Sequence, residues 1–337
     1  MDGRKKAPSE FNALAGRFFE EGADHVSGLT DELSRLPDRL ARYAQAYKRA
    51  TSQLEYLVHE QYECSVAAHA AKRLAACGNY LVFREYYTVG KVRLHAAEFC
   101  RQHLICPLCA IRRGSKTLAA YLQKHEVVRA ENPHLKLYMI TFTVRHTADD
   151  CLLERHDHCR NSLKRLTDRR RFFLNGIKGA KYTELAKAAG GVFAYEVTHG
   201  KHGWHPHVHM LALCESAPDQ EALRAEWLDV TGDSVQVDVR AGYGDPAESF
   251  MEVLKYAVKF GDLSPALTWH AACTLRGKRL LGSFGCMWGV KVPEALTDEP
   301  LEGLPYFERF YRWVGGDYTL TGEVLDHRTG KRDFPKV

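Results

Sequence analysis

The sequence has no run of about 18 apolar residues, the length that a membrane-spanning helix needs. Its first ten residues, Met1 to Glu10, are charged and contain no apolar stretch, so no secretory signal is expected. Internal repeats and low-complexity segments are also missing. Hydrophobic residues make up 45% and charged residues 26% of the 337 positions, as in ordinary folded proteins. We therefore expect a cytoplasmic protein with no membrane partner and more than one structural module.

A strong excess of one charge is missing too, because the net charge is only +5. The distribution of charge says more: residues 160–181 contain eight Lys or Arg and a single acid, Asp168. Such a face could follow the phosphates of a nucleic acid. Arg169, Arg170 and Arg171 are its candidate DNA contacts, and a solvated helix face explains the run equally well.

Ten cysteines are present, and in a reducing cytosol their bunching favours metal ligation over disulfides. Cys106-Pro-Leu-Cys109 has the outline of a zinc knuckle, and structural zinc usually takes four tetrahedral ligands. A redox Cys-x-x-Cys pair is the rival reading, but such a pair normally starts a helix after a βαβ-type strand. We predict a structural Zn²⁺ site whose ligands are Cys77, Cys100, Cys106 and Cys109. Cys77 is our choice for the fourth ligand, with His103 and Cys64 as alternatives.

A basic helix follows the cysteines, at about residues 112–129. We predict that its first turns help to contact DNA through Arg112, Arg113 and Lys116.

The order of elements is clearest in residues 136–260, where the pattern predicts β-α-β-β-α-β and then a further helix. This order suits an antiparallel sheet flanked by helices, of ferredoxin-like type, in an α+β protein. A helical and zinc-binding module precedes it. We predict four regions: an N-terminal helical extension at 1–75, the zinc module and basic helix at 76–130, the sheet core at 131–262, and a C-terminal region at 263–337.

Histidines occupy alternate positions of the strand at 205–213. His205, His207 and His209 therefore project from one face, and the hairpin could bring Glu196 of the preceding strand beside them. Two imidazoles and one carboxylate can hold a divalent ion and leave positions open for phosphate oxygens. We predict that His207, His209 and Glu196 bind Mg²⁺ or Mn²⁺. A histidine-rich surface hairpin without metal is the alternative.

A tyrosine helix follows at 246–260, with Glu252, Tyr256 and Lys259 on one face at i, i+4 and i+7. A phenol with a pKa of about 10 is a poor nucleophile near neutral pH unless a metal, base or cation assists it. Lys259 could stabilise the phenolate, and Glu252 could act as a general base. The plainer alternative is an amphipathic aromatic at Tyr256 and a solvated Lys259.

These segments together resemble the rolling-circle replication initiators (Rep proteins) of small plasmids, within the HUH endonuclease superfamily. The motifs that carry the resemblance are residues 139–144 (MITFTV), His207-Val208-His209, residues 252–259, and the cysteine segment at 100–113. The resemblance covers roughly residues 75–290. A single tyrosine in its motif points away from the initiators with paired tyrosines.

The resemblance implies that Tyr256 attacks a DNA phosphodiester at the double-strand origin of a plasmid. The DNA would be unpaired at the nick site itself. The products would be a 5′-phosphotyrosine and a free 3′-hydroxyl primer. The metal held by the histidines would orient the phosphate, and Glu252 would act in the closing step. The implied partners are the origin DNA and a host helicase and polymerase.

Two other readings compete with this one. A transposase or conjugative relaxase of HUH type would use the same metal–tyrosine chemistry on another DNA target. A non-catalytic, zinc-stabilised DNA-binding regulator would use the histidines only structurally, and it predicts that Tyr256→Phe leaves every activity intact.

Overall fold

The computed structural model describes residues 36–60, 64–256 and 263–326, without the side chains of Lys255, Tyr256 and Asp326. The predicted site residue Lys259 lies outside the described residues. Within the described part of the chain, no helix is both long and apolar enough to cross a bilayer.

Helices and strands are interspersed along the chain. The helices are α1 (Leu36–Glu60), α2 (Ser65–Ala75), α3 (Pro107–Glu131), α4 (Leu152–Leu174), α5 (Gln220–Thr231), α6 (Pro246–Tyr256) and α7 (Pro265–Leu275). The strands are β1 (Tyr80–Tyr86), β2 (Lys91–Ala97), β3 (Lys136–Thr143), β4 (Ala188–Gly200), β5 (Gly203–Cys214), β6 (Gln236–Ala241), β7 (Leu281–Gly285), β8 (Tyr306–Val314) and β9 (Asp317–Asp326).

The chain divides into two compact units. The first contains the described parts of residues 1–44, 79–98 and 297–337, and the second contains those of 45–78 and 99–296. The fourfold division expected from the sequence, with boundaries at 75, 130 and 262, stays a prediction.

The first unit is an antiparallel sheet in the order β2-β1-β8-β9. Its buried ion pair joins Arg39 to Asp298 at 2.9 Å, and Asp298 also accepts a hydrogen bond from the backbone N–H of Leu94. Burial lowers the pKa of Arg39, but its interactions with Tyr43 and Asp298 more than offset this effect and the net pKa is raised. The guanidinium therefore stays charged and joins the start of α1 to the segment before β8.

The second unit contains a five-stranded sheet in the order β6-β3-β5-β4-β7, with every neighbouring pair antiparallel. Strands β3, β4, β5 and β6 are the first to fourth strands of a β-α-β-β-α-β unit, and they lie in the sheet in the order β6-β3-β5-β4. This is the split βαβ arrangement of ferredoxin-like sheets. The predicted α+β class, with antiparallel sheets flanked by helices, is confirmed.

One face of this sheet packs against α4 and α5. The core there joins alternate residues of β3 and β5 to buried side chains of both helices, among them Phe142, Val208, Leu163 and Trp227. The Trp227 ring packs 4.9 Å from that of Phe142, and its indole N–H donates to the Thr143 carbonyl at 2.9 Å. A buried tryptophan with its polar edge bonded fixes the position of α5 on the sheet.

The opposite face packs against α6, which contacts β3, β4 and β5 and gives no side chain to the core described above. Phe250 of α6 is fully buried, and its ring lies 5.3 Å from that of His125 in α3. The side chains of β4 and β5 that do not enter the α4–α5 core therefore share a face with the tyrosine helix.

Candidate functional site

The hairpin of β4 and β5 sets the position of the candidate metal ligands. Glu196 lies directly opposite His207 in the register of the two strands, and directly opposed residues of an antiparallel pair project on the same face. His209, two residues along β5, projects on that face too, whereas Val208 points into the α4–α5 core. The alternation seen in the sequence is the alternation of the strand.

The three predicted ligands meet. Their ligating atoms all lie within 4.8 Å of one another, with Glu196 Oε2 at 2.9 Å from His209 Nε2 and 3.4 Å from His207 Nε2. Glu196 is buried and the two imidazoles are partly exposed. A carboxylate oxygen and two imidazole nitrogens aimed at one point fit a divalent cation, and three ligands leave room for an oxygen of another molecule.

Thr141 supports the site from the neighbouring strand, a role that the sequence analysis did not assign. It pairs with His209 in the β3–β5 register, and its Oγ1 lies 3.1 Å from His209 Nδ1. A metal-ligating imidazole commonly donates its other N–H to such an acceptor, which fixes its tautomer and ring orientation. The signal was present in the sequence, because Thr141 belongs to the alternating strand at 139–144.

His205 does not join the three ligands but extends their row. Its ring stacks on that of His146 at 4.0 Å and lies 4.4 Å from the ring of His207. Burial and then the charge of His146 lower the pKa of His205 to about 4. His205 is therefore a neutral imidazole at pH 7 and stacks without adding charge.

The turn of the hairpin requires glycine at position 203. Gly203 has a φ of +80°, and a Cβ there would lie 3.0 Å from the carbonyl oxygen of Thr147. The close approach packs the start of β5 against the loop after β3. A side chain at this position would therefore collide with that loop.

The tyrosine helix packs against the sheet on this face. Tyr256 is the last residue of α6, and Glu252 lies one turn earlier with a half-buried side chain. Burial, followed by the negative charge of Glu252, raises the pKa of Tyr243, so the carboxylate lies near that phenol. The structure thus brings the helix of Glu252 and Tyr256 to the sheet face that carries the histidines.

A second cluster lies in the same unit. Cys77, Cys100, Cys106 and Cys109 are all buried, and their ligating sulfurs lie within 4.8 Å of one another. Neither Cys64 nor His103 belongs to this group, so the structure brings Cys77 to the other three cysteines.

The sulfur separations suit a metal and not a disulfide. The measured Sγ–Sγ distances are 3.5 Å from Cys77 to Cys106, 3.7 Å from Cys77 to Cys109 and 3.5 Å from Cys100 to Cys109. Four ligands at the Zn–S distance of about 2.3 Å would lie roughly 3.8 Å apart in a tetrahedron. Hydrogen bonding from Cys106 lowers the pKa of the Cys100 thiol, so the cluster favours a thiolate there.

The six basic residues predicted to contact DNA differ in their burial and in the partners that their side chains already have. Arg112 is buried and donates to the Leu296 carbonyl at 2.7 Å. Arg170 is also buried, and it donates to the carbonyls of Ala188 and Ala189 at the start of β4. Both guanidinium groups already bind backbone oxygens of their own unit.

The other four basic side chains reach the surface to different extents. Arg113 and Lys116 are half-buried on α3. Arg169 pairs with Asp229 at 2.6 Å and Arg171 with Asp168 at 3.0 Å. The DNA-contact role of all six stays a prediction.

Comparison with known proteins supplies the family. A family model described as "Replication protein" matches residues 91–300. Two curated relatives named "Protein rep" come from a Bacillus species and Streptococcus pneumoniae. The first is 30% identical over 148 residues, or 43% of each chain, and the second is 28% identical over 174 residues, or 50% of each.

A third "Protein rep", from Bacillus amyloliquefaciens, is 28% identical over 145 residues, which is 42% of this chain and 38% of the relative. The chain spans half the length or less of these curated relatives. No solved structure matches it. The family model, however, covers well over half of the chain, including β3 to β7 and both candidate metal clusters except Cys77. The chain therefore belongs to the replication protein family.

Proposed function

We propose that this protein starts rolling-circle replication of a plasmid by nicking one DNA strand through a covalent phosphotyrosine. One observation carries the proposal: Glu196, His207 and His209 converge on the sheet face over which the helix ending at Tyr256 lies. The description of the family and the names of the relatives favour replication over transposition or conjugative transfer.

Tyr256 is the proposed nucleophile. Its phenolate oxygen attacks the phosphorus of a phosphodiester, a bond from Tyr256 Oη to phosphorus forms, and the bond from phosphorus to the 3′ oxygen breaks. The departing 3′ oxygen takes up a proton, and the phenolic proton passes to a base or to solvent. The strand then has a free 3′-hydroxyl for a polymerase, and the 5′ end stays on the enzyme until a hydroxyl attacks it in reverse.

The ligand face positions the phosphate for this attack. A divalent cation such as Mg²⁺ or Mn²⁺, when bound there, would polarise a phosphate oxygen as a Lewis acid. Glu196 and His207 are held opposite each other by the strand register, and Thr141 orients His209. Glu252 is the proposed base for the closing step, and Lys259 the cation that steadies the phenolate.

The four-cysteine cluster is the proposed structural Zn²⁺ site. Arg113 and Lys116, on the helix α3 that also carries Cys109, are proposed DNA contacts. A buried, complete set of four thiolates gives folding energy and leaves no open position for substrate. The origin DNA and a host helicase and polymerase are the proposed partners.

Trapping the covalent intermediate tests the proposal. Purified protein is mixed with a pool of end-labelled single-stranded oligonucleotides, with and without Mn²⁺, and covalent adducts are resolved on a denaturing gel. We expect an adduct that needs Mn²⁺ and disappears in Tyr256→Phe. Tyr243→Phe is the matched control, because Tyr243 is an exposed phenol just before the same helix, and it should form the adduct normally.

Sequencing of the trapped DNA would then show the preferred nick site. A protein that binds plasmid origin DNA but forms no adduct under any metal condition would overturn the nicking mechanism. The zinc-stabilised DNA-binding regulator would then be the better account.

A further inference from the structure

A cleft of about 400 Å³ lies in the second unit, between α2, the segment 101–105 and α7. None of the residues that line the cleft belongs to the histidine face, and no step proposed above uses the cleft. Its size falls within the range of small-molecule and cofactor sites, about 300–1,000 Å³.

The charge of the cleft is one-sided. Its polar lining includes Arg73, Arg101 and Arg276 together with two histidines, and none of the described lining residues is an acid. The three arginines are exposed, and among the described residues none of them forms an ion pair. Guanidinium groups that have no acidic partner and surround one opening are the arrangement that attracts phosphates.

The floor of the cleft is apolar. It is formed by Ala70, Ile105, Trp269 and Ala272, which are all buried. Sites that bind single-stranded nucleic acid combine cations for the backbone with apolar or aromatic surface for the bases. A single nucleic-acid strand carries negative phosphates that could bind the arginines at the rim, and bases that could pack on the apolar floor.

The segment that carries Arg101 is held in a strained form. Arg101 has a φ of +57°, a left-handed backbone conformation that is strained for a non-glycine residue. The next residue, Gln102, donates to the Ala70 carbonyl at 3.1 Å, and Arg73 donates to the Cys100 carbonyl. The cysteine segment and α2 thus hold the Arg101 backbone in place at the opening of the cleft.

Helix α7 joins this cleft to the histidine hairpin. Trp269 and Ala272 of α7, and Arg276 just after its end, line the cleft. Ala271 and Leu275 of the same helix pack with Val197 of β4 and Trp204 of β5. One helix therefore contacts both the basic cleft and the two strands that carry the ligand face.

We infer that the cleft binds the phosphate backbone of single-stranded DNA, as a second contact for the strand that is cut at the histidine face. The inference rests on the proposed function for the identity of the nucleic acid. Arg101 and Arg276 bind phosphates, and the apolar floor takes a base or sugar.

The salt dependence of binding tests the inference without any need for cleavage. Fluorescence anisotropy measures binding of a labelled oligodeoxythymidine, with no Mn²⁺ added, over a range of NaCl concentrations. Each phosphate contact contributes about −0.7 to the slope of log K against log salt for a single strand. The double variant Arg101→Ala/Arg276→Ala should therefore make the slope less negative by about 1.4. The charge-matched control Lys72→Ala/Arg129→Ala removes two exposed cations that do not line the cleft and should keep the slope.

A third variant separates a lost contact from a damaged fold. Arg101→Lys/Arg276→Lys keeps both positive charges, so it should restore the slope. An unchanged slope in the alanine variant, an equal fall in the control, or a failure of the lysine variant to restore the slope would each overturn the inference. Binding is measured separately from the covalent adduct. A protein that forms no adduct could therefore still show the cleft contact, and a protein that forms the adduct could lack it.

Discussion

The two candidate metal sites of the second unit use opposite designs. The cysteine cluster has four ligands, all buried, and three of them come from the short stretch between Cys100 and Cys109. The histidine site has three ligands on two paired strands, with Glu196 buried and both imidazoles partly exposed. The first is a closed coordination set and the second an open one.

The difference predicts a division of labour. A closed tetrahedral set of thiolates stabilises a fold and offers nothing to a substrate, whereas an open set of nitrogen and oxygen ligands can accept a phosphate oxygen. Loss of a ligand should therefore change stability at the cysteines and chemistry at the histidines.

The largest expected effect is on the closed site. We expect Cys109→Ser to lose bound zinc and several kcal/mol of unfolding free energy, because structural zinc binds zinc-finger peptides with about 10–16 kcal/mol. Metal content by mass spectrometry and urea denaturation measure the two changes. Cys273→Ser, at an exposed cysteine outside the cluster, should change neither. A variant that kept its denaturation midpoint would mean that the cluster is not structural.

Brief dialysis against EDTA should separate the two sites in one sample. We expect adduct formation to be lost completely and to return with Mn²⁺, while the zinc content and the circular dichroism spectrum stay unchanged. Buried thiolate ligands release their ion slowly, and an open site exchanges its ion readily. Simultaneous loss of activity and secondary structure would mean that EDTA removes the ions of both sites, which would contradict the predicted difference between them.

Removal of one imidazole should affect chemistry far more than stability. We expect His207→Ala to slow adduct formation roughly 10²–10³-fold, since a Lewis acid supplies several kcal/mol and each 1.4 kcal/mol is a factor of ten. The melting temperature should shift little, because the side chain is partly exposed. His202→Ala, at an exposed histidine in the turn of the same hairpin, is the control. A rate equal to that of the control would argue that the histidines are only structural.

The smallest effect sharpens the account of the open site. We expect Thr141→Val to weaken Mn²⁺ binding about tenfold, because loss of a partner that orients a ligating histidine costs 10–100-fold in related sites. The Mn²⁺ concentration needed for half-maximal adduct formation reports the change. Thr143→Val is matched by strand and chemistry, since its hydroxyl bonds to no described residue. Equal effects of the two substitutions would remove Thr141 from the site.

Periodic patterns made much of the second unit predictable. The alternation in 205–213 was enough to place three histidines on one face, and the order of strands and helices gave the sheet. Local spacing also identified Cys100, Cys106 and Cys109 as a group.

Contacts between distant segments were harder to predict. The C-terminal region at 263–337 was predicted without any strand pairing, whereas its β8 pairs with β1, more than two hundred residues away in the chain. Arg112 and Arg170 looked like surface cations, yet their guanidinium groups are buried against carbonyl oxygens. A run of charged residues in the sequence does not show which of its side chains will be buried, because burial depends on tertiary packing.

The two-residue turn between Gly200 and Gly203 limits how this hairpin can change in evolution. Side chains alternate along a strand, so a slip of one residue between β4 and β5 would turn Glu196 to the opposite face from His207. A slip of two would keep the face but move the carboxylate about 7 Å along the strand. Substitutions at the two turn residues, Lys201 and His202, would leave this pairing in place, whereas a single inserted or deleted residue that shifted the pairing would separate the ligands.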